Sequence, residues 1–425
     1  MKNYYLFLFV ALLFSFLIAD SFIYAQDSTY ARKMMMTLGA PDYMGRGYVG
    51  DGNKKAADFI ANQFKNDGLK HFNDSYFQEF TFPINTISQV DYFVVGSDTL
   101  QPGTDYYILN ASRERKSKYK VIFIDDSLFA NDDKYLKSIL MNPDLKKTFL
   151  VFSKENKEVR YLFKTSVGGL IFLNKDKLNP WSFSHAQEPV DYAIIDVLDS
   201  KFKRNVSEIS ISFKNNYFSK FKTQNVVSYV EGTKYPDSFI VIGAHYDHMG
   251  MMGQEVVFPG GNDNLSGTSM LLDMARYYSK EENKPDYSIV FISFSGEEVG
   301  LLGSLYFVQH PLFDLKKIHF MLNLDMVGTG SKGIVVVNGT IFKDQFNKLL
   351  QINNSKKYLK KVKVRGEACN SDHCPFYLKK VPSFFIYTTG DEYSEYHSPT
   401  DLPQSVPLTK YNGLFKLIRD FIKEQ

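Results

Sequence analysis

The chain has 425 residues, of which 44% are apolar and 16% aromatic, and its formal net charge is +3. This composition excludes disordered and fibrous chains, and it is sufficient for one large hydrophobic core and a second, smaller one. Because the net charge is small and no block of Lys and Arg alternates with aromatic residues, a nucleic-acid partner is not expected.

The first 25 residues have the pattern of a secretory signal peptide. Lys2 precedes an apolar run from residue 4 to residue 18, and small and polar residues follow as far as Ala25. This pattern predicts cleavage after Ala25 and export of the protein to the periplasm or the extracellular space. An uncleaved N-terminal anchor is the alternative, since Ile23 is not ideal three positions before the cleavage site. After cleavage no stable membrane span is expected.

Residues 26–90 are interpreted as the N-terminal part of a domain that residues 216–425 complete. The glycine-rich stretch 45–52 predicts a tight turn, and apolar residues recur at helical spacing from Lys54 to Asp67. Gly68 then predicts the end of this helix.

Residues 91–215 have a different sequence pattern, which predicts an inserted β-rich domain. Its β-rich segments are short and are separated by charged or Pro- and Asn-containing connections, which is typical of strands joined by loops. These segments are residues 119–125, 147–153, 168–173 and 207–213.

Residues 216–425 are predicted to form the rest of an α/β domain. Apolar runs alternate with helical patterns, which include residues 267–280 and 341–353. The alternation predicts a mostly parallel central sheet with helices on both faces. The strand-like runs are residues 225–230, 238–244, 287–294, 318–324, 333–338 and 383–388.

Histidine and acidic residues follow several of these predicted strands. His245, Glu298 and Asp325 each come within a few residues of a strand's end, and His397 follows the last strand after a short loop. The carboxyl ends of parallel strands meet at one crevice of an open α/β sheet. The sequence therefore predicts that these side chains lie together.

Two further features favour a metal in that crevice. Asp263 lies between glycines in GGNDNLSG, which lets the backbone direct its carboxylate inwards, although a carboxylate that serves only a helix N-terminus would look the same. Glu297 and Glu298 are adjacent, and two buried carboxylates repel each other unless a cation or a proton lies between them. A solvated pair in a loop is the alternative.

Two imidazoles and three carboxylates form a ligand set that suits zinc rather than calcium or magnesium. Three carboxylates and one hydroxide would neutralise two divalent cations, whereas they would leave a single zinc with excess negative charge. We therefore expect two Zn²⁺ per chain. Asp247, two residues after His245, is expected to orient that imidazole. The predicted ligands are His245, Asp263, Glu298, Asp325 and His397.

Six ordered motifs resemble those of metallopeptidase family twenty-eight, which includes bacterial leucyl aminopeptidases, aminopeptidase Y and the glutamate carboxypeptidase II group. They are GAHYDHMG, GGNDNLSGTSMLLDMAR, FSGEEVGLLGS, NLDMVG, SDHCPF and YHSPTD. The resemblance covers about residues 30–90 and 220–425. Residues 91–215 occupy the place where some members carry a protease-associated domain.

The resemblance implies a role for each predicted ligand. His245 and Asp325 would hold one zinc ion, and Glu298 and His397 would hold the other. Asp263 would bridge the two ions. The fold that the resemblance implies is that of the zinc aminopeptidases.

The resemblance also implies a zinc-dependent exopeptidase that acts on peptide substrates, with Glu297 as the general base. An aminopeptidase is expected because aminopeptidases are frequent in the family. Alternatives on the same fold are a carboxypeptidase, a glutaminyl cyclase-like acyltransferase with one zinc, and a binding module without enzymatic activity.

The motif SDHCPF departs from the family pattern, since related sequences often have an aromatic residue where Cys374 stands. A residue in this loop would polarise the scissile carbonyl, and His373 is a candidate donor, although it would equally serve to shape the loop. Cys369 and Cys374 are close enough in sequence for a local disulfide in an exported protein, with two reduced thiols as the alternative.

An acidic stretch before His397 would lie near the free amine of a peptide substrate. A solvated loop is the alternative for this stretch. The candidate groups are Asp391, Glu392 and Glu395.

Overall fold

The computed structural model describes residues 28–153, 167–183 and 185–425, so the predicted signal peptide lies outside the described residues. In these ranges no helix combines the length and the apolar character that crossing a bilayer requires. The helices are α1 (Ser28–Leu38), α2 (Gly52–Asn66), α3 (Asp126–Asn131), α4 (Asp133–Leu140), α5 (Ser266–Tyr278), α6 (Leu302–Gln309), α7 (Lys343–Lys356), α8 (His373–Leu378) and α9 (Tyr411–Lys423). The strands are β1 (Phe77–Val95), β2 (Asp98–Thr99), β3 (Tyr106–Ile108), β4 (Arg115–Phe123), β5 (Thr148–Phe152), β6 (Gly169–Asn174), β7 (Ala193–Leu198), β8 (Glu208–Val230), β9 (Tyr235–His245), β10 (Gly250–Met252), β11 (Val256–Phe258), β12 (Tyr287–Phe294), β13 (Ile318–Leu324), β14 (Gly333–Val337), β15 (Val362–Val364) and β16 (Ser383–Thr389).

One large sheet runs through the molecule in the strand order β15-β14-β16-β13-β9-β12-β8-β4-β5-β6-β7-β3, with β1 paired to β8. In the first half of the sheet, from β15 to β12, β9 lies parallel to both β12 and β13, and β16 lies parallel to β13. Strands β12 and β13 begin and end where their apolar runs predict. Such continuous apolar runs are typical of parallel strands that are buried on both faces.

Helices cover both faces of this first half. Successive strand residues point to opposite faces, and Ile242 packs in a core cluster with Leu271 of α5 and Ile418 of α9. Its neighbour Val241 packs in a different cluster, with Phe307 of α6 on the other face. The predicted α/β class with a mostly parallel sheet is therefore confirmed.

The second half of the sheet contains the β-rich insert. Strands β4, β5, β6 and β7 are parallel to one another, and β3 closes the edge in the antiparallel direction. One core cluster of this half includes Trp181 and Phe183 of the insert. The same cluster includes Met249 and Phe258, which follow β9 of the first half. The packing of the insert therefore continues into the region where the predicted ligands lie.

A long antiparallel ribbon of β1 and β8 joins the two halves. β8 has 23 residues; its first residues pair with β4 and its last ones with β12. The segments 207–213 and 225–230, predicted as separate strands, belong to this one strand. The residues between them are mostly exposed and polar, so the apolar pattern of a strand is lost there. The predicted boundaries near residues 90 and 215 fall within the ribbon, and the division into domains stays a prediction.

Candidate metal centre

The five predicted ligands lie together at the carboxyl ends of the parallel strands. His245 Nε2 is 3.3 Å from Asp263 Oδ1 and 3.4 Å from Asp325 Oδ1. His397 Nε2 is 3.0 Å from Asp263 Oδ2 and 3.2 Å from Glu298 Oε2. Each carboxylate oxygen of Asp263 thus faces a different imidazole, which is the arrangement expected of a bridging ligand.

Three of the converging atoms are buried without a hydrogen-bond partner: His245 Nε2, His397 Nε2 and Asp325 Oδ1. Buried polar atoms in proteins are rarely left without a hydrogen-bond partner. Nitrogen and oxygen atoms whose lone pairs face one another can instead coordinate a cation. Oxygen or nitrogen atoms of His245, Asp263 and Glu298 lie within 4.8 Å of one another, and so do those of His245, Glu297 and Asp325. The mixture of imidazole and carboxylate ligands fits zinc.

The loop that carries Asp263 is held in place from several sides. Gly260 has a φ of 57°, and a Cβ atom there would lie 2.2 Å from the Asp263 carbonyl oxygen, so glycine is required at this turn. Arg46, which is fully buried, donates to the carbonyls of Pro259 and Gly260. Asp401 accepts the backbone N–H of Asp263 at 3.2 Å. The peptide bond after Asp263 is cis.

Asp247 contacts the site in a way that differs from the prediction. The Asp247 carbonyl oxygen, 3.1 Å from His245 Nδ1, orients that imidazole, while the nearer carboxylate oxygen is 3.8 Å away. The carboxylate accepts the backbone N–H groups of Glu297 and Glu298, each at 3.3 Å, and the hydroxyl of Tyr48 at 2.5 Å. Its side chain therefore holds the turn that presents the two glutamates.

The two adjacent glutamates are in different electrostatic environments. Burial raises the pKa of Glu297 well above its usual range, and the neighbouring charges of Glu298 and Asp325 raise it further. Burial also opposes ionisation of Glu298, but His397 and a hydrogen bond from His248 hold its pKa at about 2. Glu297 is therefore suited to accept a proton, whereas Glu298 is suited to remain an anionic ligand.

Two residues that support ligands were not predicted from the sequence. His248 Nδ1 is 2.7 Å from Glu298 Oε1, and the Ser371 hydroxyl donates to Asp325 Oδ2 at 2.7 Å. Both residues stand inside motifs that resemble those of the family, GAHYDHMG and SDHCPF. Their position in these motifs was the available signal, but spacing alone does not show which ligand each would contact.

Tyr396 is a third residue that was not predicted from the sequence. Its ring stacks on that of His397, with a centroid distance of 3.8 Å. Tyr396 is 43% exposed as a whole residue. Partial burial of its phenol, together with the nearby charges of Asp263 and Glu298, raises its pKa. The phenol therefore stays protonated at neutral pH and is a hydrogen-bond donor beside the predicted metal ligands.

The SDHCPF loop is held by its own contacts. Cys369 and Cys374 form a disulfide, with their Cα atoms 4.9 Å apart. His373 Nε2 is 2.8 Å from the Ala368 carbonyl oxygen, and burial lowers the pKa of His373 to about 4. His373 is thus a neutral residue that shapes this loop, and its role as a donor to the substrate stays a prediction.

The acidic stretch before His397 is divided between two environments. Asp391 pairs with Lys332 at 2.5 Å, and Glu392 accepts the backbone N–H of Ser331. Glu395, in contrast, lines a cavity of about 500 Å³ beside His397. Of these three acidic residues, Glu395 is therefore the one that lines a cavity beside a predicted ligand, and its Oε2 atom accepts hydrogen bonds from Ser398 and Thr400.

Residues 225–422 match the sequence profile of peptidase family M28. The chain is 29% identical to Aminopeptidase YwaD of Bacillus subtilis over 55% of this chain and 51% of that protein. It is 28% identical to a glutamate carboxypeptidase 2 homolog of Caenorhabditis elegans over 47% of this chain and 29% of that protein. The chain thus spans about half, or less, of the length of these curated relatives.

The fold is also similar to that of solved structures. BSAP, a zinc aminopeptidase from Bacillus subtilis, superposes with a TM-score of 0.69 at 19% identity, covering 94% of this chain and 95% of that one. The match extends over both halves of the sheet, since residues outside 225–422 are needed to reach this coverage. At this identity the similarity establishes the fold alone, and the division into domains stays a prediction.

Proposed function

Because the chain belongs to peptidase family M28, we propose that it is a zinc-dependent aminopeptidase that removes N-terminal residues from peptides. The observation that carries this proposal is the cluster of buried, unpaired imidazole and carboxylate atoms at the ends of the parallel strands. His245 and Asp325 would hold one Zn²⁺, Glu298 and His397 a second, and Asp263 would lie between them.

When bound, the ions would supply Lewis acidity, which polarises the scissile carbonyl and lowers the pKa of a water molecule. Glu297 accepts a proton from the attacking water and then delivers it to the nitrogen of the leaving amine. The Asp247 carboxylate fixes the backbone of Glu297 and so keeps the base in position.

We propose that Tyr396, whose ring stacks on His397, stabilises the charge that develops on the carbonyl oxygen. We expect Tyr396→Phe to lower kcat by about 100- to 1,000-fold, the loss typical of one oxyanion donor. Since the ring and its stacking on His397 would remain, zinc content and KM should be close to those of the wild type. Steady-state kinetics with metal analysis of the same preparation would test this; unchanged kcat would exclude the donor role.

The aminopeptidase polarity is supported by the similarity to Aminopeptidase YwaD and by Glu395. Glu395 lines the cavity beside His397, and we expect its charge to attract the positive charge of a peptide's free α-amine. The similarity to a carboxypeptidase homolog makes the polarity the first property to test.

The decisive experiment compares one peptide with a free and with an acetylated N-terminus, with products identified by mass spectrometry. We expect stepwise loss of N-terminal residues from the free peptide, no cleavage of the acetylated peptide, and loss of activity with a chelator. Removal of C-terminal residues from both peptides would indicate a carboxypeptidase. Cyclisation of an N-terminal glutamine without hydrolysis would indicate the acyltransferase.

Export remains part of the proposal. The disulfide between Cys369 and Cys374 supports it, because disulfides persist mainly in oxidising compartments. The mature protein would then begin at Gln26 and act in the periplasm or outside the cell.

A further inference from the structure

His397 is oriented by a residue of the insert. Its Nδ1 atom is 2.8 Å from the carbonyl oxygen of Trp181, and the backbone N–H of Trp181 donates to the His397 carbonyl at 3.1 Å. A carbonyl at this position requires the proton on Nδ1, which leaves the lone pair on Nε2. Nε2 is the atom that faces Asp263 and Glu298.

Trp181 is itself firmly held. It is 1% exposed, and its indole N–H donates to the Ile108 carbonyl at 2.8 Å. Its ring stacks on Phe258 with a centroid distance of 4.4 Å. Since Ile108 belongs to the insert and Phe258 lies two residues before Gly260, Trp181 connects the insert to the loop that carries Asp263.

The groups that contact the side chains of two other predicted ligands lie within residues 225–422, the range that matches the family profile. His245 has the Asp247 carbonyl, and Asp325 has Ser371. The support for His397 differs, because residue 181 lies outside this range. The segment before Trp181 also lines the cavity beside His397.

We propose that the insert is an integral part of the metal centre, with Trp181 as the positioning residue for His397. This inference rests on the proposed function, since it assumes a zinc ion on His397. The expected consequence is that disturbing Trp181 weakens zinc binding at the site of Glu298 and His397 and leaves the site of His245 and Asp325 little changed.

The test is a competitive zinc titration of the full chain. Comparison with His397→Ala identifies the binding step in which zinc enters the site of His397 and Glu298. We expect Trp181→Ala to weaken that step by about 10- to 100-fold, as is typical when a residue that orients a ligand is lost. Trp181→Phe retains an aromatic ring against Phe258 and should be closer to the wild type. Pro180→Gly, a change at an exposed residue that loosens the adjacent backbone, should weaken the same step by a smaller factor.

Phe172→Ala is the matched control. Phe172 is 0% exposed and stacks on Phe152 in a separate core cluster of the insert, so this substitution weakens the packing of the insert away from His397. Normal zinc binding by Phe172→Ala together with a weakened step in Trp181→Ala would support the proposal. Equal weakening in both, or unchanged binding in both Trp181→Ala and Pro180→Gly, would overturn it.

Trp181 also provides a readout that is independent of activity. It is the single tryptophan of the chain, so emission excited at a wavelength selective for tryptophan reports on this position. Zinc binding to His397 should change this emission in the wild type and in Phe172→Ala, and the change should be absent in His397→Ala. A wild type that binds fewer than two zinc ions would contradict the proposed function, whereas two ions with an unresponsive Trp181 would contradict only the positioning role.

Discussion

Replacing Glu297 by Gln should lower kcat by about 100- to 10,000-fold, the range expected when a general base is lost, while two zinc ions per chain are retained. The amide keeps the size of the side chain but cannot accept the proton of the attacking water. The backbone of residue 297 would stay fixed by the Asp247 carboxylate, so the geometry of the turn should persist. Turnover of a peptide with a free N-terminus, measured alongside zinc content, tests this expectation.

Glu298→Gln is the matched control, since it makes the same chemical change one residue further on. Glu298 Oε2 is 3.2 Å from His397 and Glu298 Oε1 is 2.7 Å from His248. Loss of its negative charge should therefore abolish or weaken the binding of one zinc ion. The roles of the two glutamates would have to be exchanged if Glu297→Gln lost zinc and Glu298→Gln kept it. Near-normal turnover in a fully loaded Glu297→Gln would exclude Glu297 as the base.

The convergence of four ligands, His245, Glu298, Asp325 and His397, could be predicted from the sequence because each follows a strand with a clear apolar pattern. Strands β12 and β13 have the predicted bounds, and their parallel pairing with β9 fixes which strand ends become neighbours. The predicted family is confirmed by the profile match over residues 225–422. His245, Glu298 and Asp325 were therefore placed together by general rules of sheet geometry.

The joining of the two halves could not be predicted in this way. In the ribbon, residues of β8 between its two buried ends are paired to β1 but exposed to solvent. Backbone hydrogen bonds hold such a segment without an apolar face, so its sequence resembles a loop. Periodicity detects burial rather than pairing, and it therefore identified only the ends of this strand.

The partners of the ligands were also beyond sequence reasoning. The spacing of His245 and Asp247 suggested a contact between the two side chains, but the backbone carbonyl of Asp247 takes that place and its carboxylate turns to Glu297. Trp181 contacts His397 across 216 positions of sequence. Backbone carbonyls are present at every residue, so no residue type marks the one that will orient a ligand.

Asp263→Ala should have the largest effect on metal content, because Asp263 is the residue whose two oxygens face the two imidazoles separately. We expect loss of at least one zinc ion and of nearly all activity. Asp263→Asn preserves the shape of the side chain but removes its charge, and we expect it to retain at most one ion. Metal analysis after gel filtration would give the stoichiometry of each variant.

Comparison of Asp263→Ala with Asp401→Asn distinguishes a role of Asp263 as a bridging metal ligand from a role in the shape of its loop alone. Asp401 accepts the backbone N–H groups of Asn262 and Asp263, so Asp401→Asn disturbs this loop while the Asp263 carboxylate remains. A ligand that binds only the folded state stabilises it, and EDTA should therefore lower the Tm of the wild type and of Asp401→Asn. In Asp263→Ala the Tm should respond less to EDTA than in the wild type, because at least one of the two zinc ions has already been lost. A full EDTA response in Asp263→Ala, with two zinc ions bound before treatment, would show that the ions do not require Asp263 between them.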